Sequence, residues 1–386
     1  MADAKTLKSK LASGDFDARL KEVYLSDKAV ADQKERDAVI IDEFVKLFGD
    51  SDSIELFSAP GRTEVGGNHT DHNHGKVLAA GVDLDTVAAA AKRGDNIIVE
   101  KSFKFDALEV DITDLDVHKE EFGKSSGLIR GICAGFVSCG YKIGGFNAAS
   151  MSRVLSGSGL SSSAAYEVLI ATILNHLYND GSISDVEIAK IAQFAENKYF
   201  GKPCGLLDQM TSSVGGFITI DFEDPSKPII NKVDFDFASC GHALCIVDTG
   251  GNHADLTDDY ASIRKEMESA AEVFGKSVLR EVDEDELMKN ISLVREKVND
   301  RAVLRAMHFY AENKRVDAEI AALESGDFEQ FKKLVIESGR SSYMYNQNVF
   351  TASDVKHQGV SLALAMCEYL LAGKGAWRVH GGGFAG

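Results

Sequence analysis

No apolar run in this chain approaches the ~18 residues that a membrane span needs, and the charged start MADAKTLKSKLASGDFDARLK lacks the apolar stretch of a secretion signal. A cytoplasmic protein without a signal peptide or a membrane partner is therefore expected. Cysteine is sparse. Cys133, Cys139, Cys204, Cys240, Cys245 and Cys367 form no CxxC pair, so reduced thiols are expected rather than the disulfide framework of a small secreted domain. Basic charge is also in deficit: 42 Lys and Arg stand against 60 Asp and Glu, a formal net charge of -18. That balance argues against a nucleic-acid partner, which wants a basic field over a whole face. An acidic chain can still hold a nucleotide by concentrating backbone N–H groups, a helix N-terminus and a bound cation at one spot. Internal repeats and low-complexity stretches are absent too.

What is present fits an ordinary globular protein. With 386 residues, 44% hydrophobic and 26% charged, the chain can form two domains with their own cores. Residues up to about Gly49 are predicted helical, with Val39, Ile40, Phe44, Leu47 and Phe48 at helical spacing before a glycine stop. IELFSAPGR reads as a strand entering a turn, and KVLAAGVDLDTVAAAAKRGDNIIVEKSF as strands joined through a tight GD turn. GLIRGICAGFVSCGY suggests a helix and FNAASMSRVL a further strand.

Four stretches carry chemistry. GNHTDHNHG, from Gly67 to Gly75, gathers His69, Asp71, His72 and His74, which are metal-ligand types. Neither an extended nor a helical backbone would converge three of them, so a polar loop is the competing reading. GSGLSSSAAYEVLIATILNHLY begins at Gly157 as a small, hydroxylated turn and continues as a helix with Val168, Leu169, Ile173, Leu174 and Leu177 at apolar positions. Such a turn is either an ordinary capped helix or a phosphate cradle, in which serine hydroxyls can also ligate Mg2+. No GK[ST] follows, so it is not a Walker A loop. In SDVEIAKIAQFAENKYFGKPCGLLDQM, Ser184 and Glu187 form a capping-box signature, and the helix they open is expected to end near Phe200. Glu196 falls in its last turn, where the helix dipole disfavours an acid unless a cation is bound or the side chain is simply solvated. Asp208 lies among apolar neighbours, as a capping or buried hydrogen-bonded group or as a catalytic carboxylate.

Together these stretches resemble the galactokinases of the GHMP kinase superfamily. SAPGRTEVGGNHTDHNHGKVLAAGVD is similar to the galactokinase signature and VLSGSGLSSSAAYEV to the GHMP phosphate loop. GKPCGLLDQ resembles the segment around the catalytic aspartate, and WRVHGGGFAG the third GHMP motif. The motifs follow family order over roughly residues 30 to 386. The resemblance implies an α+β, two-domain fold: an N-terminal domain like ribosomal protein S5 domain 2 over residues 1–215, including an extra segment 1–30, and a ferredoxin-like C-terminal domain over 216–386. The active site is expected between them. It also implies ATP-dependent phosphorylation of galactose at O1 by a monomer, with ATP and Mg2+ as cofactors. Residue by residue, Asp208 and Arg62 match the catalytic pair, and Asn68, His69, Thr70, Asp71, Gly205 and Tyr260 the sugar-binding positions. Gly157, Ser158, Gly159, Leu160, Ser161, Ser162 and Ser163 match the residues around the ATP phosphates, and Ser163 and Glu196 the Mg2+ ligands.

Departures cluster at the sugar end. Asn68 stands where the family has glutamate, His72 where it has tyrosine, and Glu64 where it has asparagine, so a related pyranose is the alternative substrate. SSGLIRG replaces an aromatic-containing stretch, Leu155 replaces a proline, and the chain stops at Gly386 inside the last motif, where it is expected to be cut short. A sugar and ATP sensor and a zinc enzyme are the readings from other classes.

Overall fold

The computed structural model describes residues 2–155, 159–202, 204–251 and 256–384. The chain separates into two compact units, Met1–Arg62 with Gly81–Gly215, and Thr63–Ala80 with Gly216–Gly386. Residues 63–80, which a linear division into 1–215 and 216–386 leaves in the first block, thus cluster with the second. Their hydrogen-bond partners explain the difference, because they lie near residues 308–348 and 378–382.

The first unit opens with α1 (Ala4–Ser13), α2 (Asp17–Tyr24) and α3 (Asp27–Phe48). Ser26 caps α3 by accepting from the Ala29 N–H. The buried stripe of α3 runs through Val30, Ile40, Ile41 and Phe44, whereas Val39 and Leu47, predicted to share it, face solvent. β1 (Glu55–Gly66) and β2 (Lys76–Lys92) contribute residues to both units. β3 (Ile97–Ser102), β4 (Leu108–Asp111), α4 (Ser125–Ser138), β5 (Phe146–Ser152), α5 (Ser162–Asn179), α6 (Asp185–Ala195) and α7 (Leu207–Val214) complete the first unit. The strand order there is β4-β3-β5-β2. β5 pairs antiparallel with β2, from Thr86 opposite Ser152 to Lys92 opposite Phe146, and parallel with β3.

The run VAAAA in β2 explains how this sheet is used. Ala88 and Ala90 face a core built from α4, α5 and α6, with Ile129, Phe136, Leu169 and Ile173. Val87, Ala89 and Ala91 face α1 and α3, with Leu7, Leu11, Ile40, Ile41 and Phe44. A strand covered on both faces reads as continuously apolar rather than alternating, and alanine leaves room for large helix side chains. The N-terminal segment is therefore part of the packing, covering one face of the sheet.

In the second unit Lys76–Ala80 of β2 pairs antiparallel with β6 (Phe217–Asp221), which pairs with β7 (Ile229–Val233). The helices are α8 (Thr257–Glu272), α9 (Glu284–Lys289), α10 (Ile291–Lys297), α11 (Asp300–Glu324), α12 (Phe328–Ser341) and α13 (Gly359–Leu371). One core joins α8 to α11 through Ile263, Met267, Val303 and Phe309. Another sets Leu78 and Val233 against Val316, Leu323, Phe331 and Leu334. Among the described residues, no helix is long and apolar enough to cross a membrane.

Candidate active site

In the first unit, β1 delivers Arg62 to the serine-rich turn. A Cβ on Gly61 would meet the Leu160 carbonyl at 3.0 Å and the Val154 side chain at 3.1 Å, so glycine permits the close approach. Behind it the Arg62 N–H donates to the Leu160 carbonyl at 3.0 Å. The guanidinium donates through Nε to Asp208 Oδ1 at 2.7 Å and through Nη1 to the Gly159 carbonyl. Ser161 Oγ donates to the other oxygen, Asp208 Oδ2, at 2.5 Å. The Asp208 side chain, in the first turn of α7, is 33% exposed. Burial pushes its carboxyl up, but the Arg62 charge and the bonds from Arg62 and Ser161 outweigh that and hold it below the usual carboxylate range.

Ser161 also caps the start of α5 in a left-handed conformation, φ 58 and ψ 64, without a side-chain capping bond. A non-glycine residue held at positive φ is strained, and such strain collects at sites that need one geometry. Its hydroxyl is committed to Asp208 and so does not cap the helix. Ser162 and Ser163 follow as the first residues of α5. Gly159 and Leu160 flank the turn, whereas Gly157 and Ser158 lie outside the described residues.

Ser163 Oγ donates to Glu196 Oε1 at 3.5 Å. Glu196, 2% exposed, begins a single π turn, Glu196–Phe200, that closes on Gly201. Such turns widen a helix locally and recur at functional sites. Lys202 Nζ contacts the same Glu196 Oε1 at 3.1 Å, so a cation already sits against this oxygen. Gln209 Nε2 donates to Glu196 Oε2 at 2.7 Å and to Glu167 Oε2 at 3.0 Å. Burial and the adjacent Glu196 carboxylate push the Glu167 carboxyl up to about 8. Gly205 is exposed in the turn before α7.

In the second unit the loop 67–75 is organised by its own protein. Asn68 is wholly buried and makes all four bonds an amide can make. Its Nδ2 donates to Glu64 Oε1 (2.9 Å) and the Gly381 carbonyl (2.8 Å), and its Oδ1 accepts from Ser342 Oγ (3.1 Å) and Asn348 Nδ2 (2.9 Å). Thr70 is equally buried, its hydroxyl committed to the Gly67 and Lys76 carbonyls. Asn68 and Thr70, expected among the sugar contacts, thus have their side-chain donors committed to the loop's own hydrogen-bond network. Glu64, another of the departures, accepts from Arg378 Nη2 at 2.5 Å and pairs with Asn68.

His69 and Tyr260 both reach the glycine-rich segment: His69 Nε2 donates to the Gly382 carbonyl at 3.0 Å, and the Tyr260 hydroxyl to the Gly383 carbonyl at 2.8 Å. Both are partly exposed, as is Asp71. Burial lowers the His72 imidazole well below its ordinary value, and its Nδ1 accepts from Asn73 Nδ2. Among the described residues, no group of three or more His, Cys, Asp or Glu side chains is placed to hold a metal ion. The histidine-rich loop therefore does not converge on one point, and the zinc reading has no geometric support.

Sequence reasoning overlooked Gln209, Glu167 and His308. His308 Nε2 donates to the Asn68 carbonyl at 2.8 Å, while Nδ1 accepts from Ser341 Oγ. Glu167 carried a signal, an acid inside the apolar run of α5, and it proves to be wholly buried. His308 carried none, since its partners are remote in sequence.

Comparison with known proteins decides the family. A model described as the galactokinase galactose-binding signature matches residues 42–92, and one for the GHMP kinases N terminal domain matches residues 128–216. The galactokinase of Streptomyces coelicolor is 30% identical over 348 residues, covering 89% of this chain and 86% of its own. That of Glaesserella parasuis is 31% identical over 349 residues, with 89% and 86% covered. The chain belongs to the galactokinase family. Among solved structures, Lactococcus lactis galactokinase complexed with galactose superposes with a TM-score of 0.74 at 25% identity, covering 91% of this chain and 88% of that one. This galactokinase-family chain accordingly has the α+β, two-domain GHMP kinase architecture. The galactose-binding signature spans β1, the loop 67–75 and β2, so both the buried Asn68 and Thr70 and the partly exposed His69 and Asp71 fall inside it.

Proposed function

We propose that this galactokinase-family enzyme transfers the γ-phosphoryl group of ATP to O1 of galactose, yielding galactose 1-phosphate and ADP. The observation that carries the reading is Asp208, one-third exposed and held as a carboxylate between Arg62 and Ser161. A carboxylate so stabilised is a weak base. It accepts the hydrogen bond of the attacking hydroxyl, orients O1 for in-line attack, and takes its proton as the bond to phosphorus forms and the bond to the β–γ bridging oxygen breaks. Arg62 keeps Asp208 ionised and places positive charge beside the serine turn, where negative charge builds up on the transferring group. The N–H groups of the first turn of α5 and the backbone of Gly159 to Ser161 suit the ATP phosphates.

The residues present fit Mg2+. Ser163 Oγ and Glu196 Oε1 are oxygen donors within 3.5 Å of each other, and the Lys202 ammonium on the same Oε1 supports reading the spot as one for positive charge. Ser163 and Glu196 would hold the ion, which supplies charge neutralisation at the phosphates when bound. For the sugar, His69, Asp71 and Tyr260 are the side chains on offer in the second unit; paired donors and acceptors suit a polyol. The test is a panel of galactose, glucose, N-acetylgalactosamine and arabinose assayed for Mg-ATP-dependent phosphorylation. Galactose is expected to have the highest kcat/KM, and a rate no better than that of its C4 epimer glucose would refute the named substrate.

A further inference from the structure

Two wholly buried side chains near the proposed cation site, Glu167 and Gln209, have no role in the steps above. Gln209 follows Asp208 on α7, and Glu167 lies on α5 one turn after Ser163. One amide nitrogen links them to Glu196, donating 3.0 Å to Glu167 Oε2 and 2.7 Å to Glu196 Oε2, with a weaker contact to Cys204 Sγ at 3.6 Å. The shorter contact, to Glu196 Oε2, fixes the orientation of that amide, since its oxygen there would face an acceptor. Glu196 Oε2 is thereby tied inward, and Oε1 is the oxygen left toward Ser163 Oγ and Lys202 Nζ. The tie spans three helical elements: α5, the π turn after α6, and α7.

We propose that Gln209 is a positioning residue for the cation site, with Glu167 as its fixed anchor: the pair holds the Glu196 carboxylate in the rotamer that presents Oε1 beside Ser163. The proposal rests on the reading of Ser163 and Glu196 as Mg2+ ligands. Groups that orient metal ligands typically weaken metal affinity by about 10- to 100-fold when removed. Gln209→Met keeps the approximate volume and deletes both bonds.

The experiment is Mn2+ binding to the full chain in the presence of ADP, followed by the paramagnetic signal of free Mn2+, with the KM for galactose measured in parallel. Gln209→Met is expected to weaken Mn2+ by about tenfold or more while the galactose KM stays within about twofold of wild type, the split expected if the residue acts only through Glu196. Should Gln209→Met fail to fold, Glu167 carries the same test. Glu167→Met is expected to weaken Mn2+ comparably, and Glu167→Gln, which keeps an acceptor for the amide, by less than about threefold. Unchanged Mn2+ affinity in Gln209→Met or Glu167→Met, with the affinity lost in Glu196→Gln, overturns the positioning role and leaves the cation reading standing. Unchanged affinity in Glu196→Gln overturns the cation reading and the proposal with it.

Discussion

The two motif-bearing regions are built on opposite plans. Around Asp208 in the first unit, polar side chains are few and keep capacity for a ligand: Asp208 is 33% exposed, and the ammonium of the exposed Lys202 sits on Glu196 Oε1. In the loop 67–75 of the second unit, polar groups are numerous and mostly spent on one another. Asn68 is saturated, Thr70 holds two carbonyls, and His308 and Asn348 brace Asn68 from behind. A motif therefore mixes residues that act with residues that hold, and only the hydrogen-bond inventory separates them. Substitutions in the first region should alter rate with little effect on stability, and those in the second should do the reverse.

The largest effect is expected at Asp208. Asp208→Ala should lower kcat by about 10³-fold or more while leaving the melting temperature near wild type. Arg62→Lys should cost about 10²-fold in kcat, because an ammonium cannot reproduce the fork that joins Asp208 to the Gly159 carbonyl. Comparable kcat in either variant would break the contrast from the catalytic side.

From the structural side, Asn68→Ala takes a hydrogen-bond partner from each of Glu64, Ser342, Asn348 and the Gly381 carbonyl, leaving the buried Ser342 hydroxyl without its Asn68 acceptor. A loss of about 3 kcal/mol is expected in denaturant unfolding. A folded, equally stable variant altered only in sugar KM would instead make Asn68 a sugar contact.

A smaller effect concerns Asp37 on α3, which accepts from Gln33 Nε2 at 2.6 Å beside the buried Arg36 and Asp85 pair. Burial pushes its carboxyl from 3.8 up to about 7. Because the folded state holds this proton more tightly than the unfolded chain, the associated stability is full below pH ~3.8 and is lost as pH rises toward about 7. Asp37→Asn cannot ionise, so its melting temperature should gain on wild type by about 2 °C or more between pH 5 and pH 8. A pH-independent difference would show that Asp37 is not the titrating group.

Much of the framework was legible in the sequence because it depends on local pattern. The Ser184 cap accepts from the Glu187 N–H as the capping-box signature implies, and the helix continues to Phe200 through the π turn that carries Glu196. The strands on either side of the GD turn and the helix after the serine turn lie where their apolar spacing puts them. What escaped depends on distant partners. Nothing near position 68 reveals that its amide meets Ser342, Asn348 and Gly381, and this long-range pairing draws residues 63–80 into the second unit. The covering role of α1 was equally hidden, since Leu7 and Leu11 acquire meaning only against Ile40, Ile41 and Phe44.

The most direct measurement is phosphorus NMR of the product formed from galactose and Mg-ATP by wild type and by Asp208→Asn, which keeps the shape of the side chain and removes its charge. Wild type is expected to yield galactose 1-phosphate and Asp208→Asn essentially none over the same interval. Equal product from both, or phosphorylation at a position other than O1, would contradict the role assigned to Asp208 and the reaction built on it.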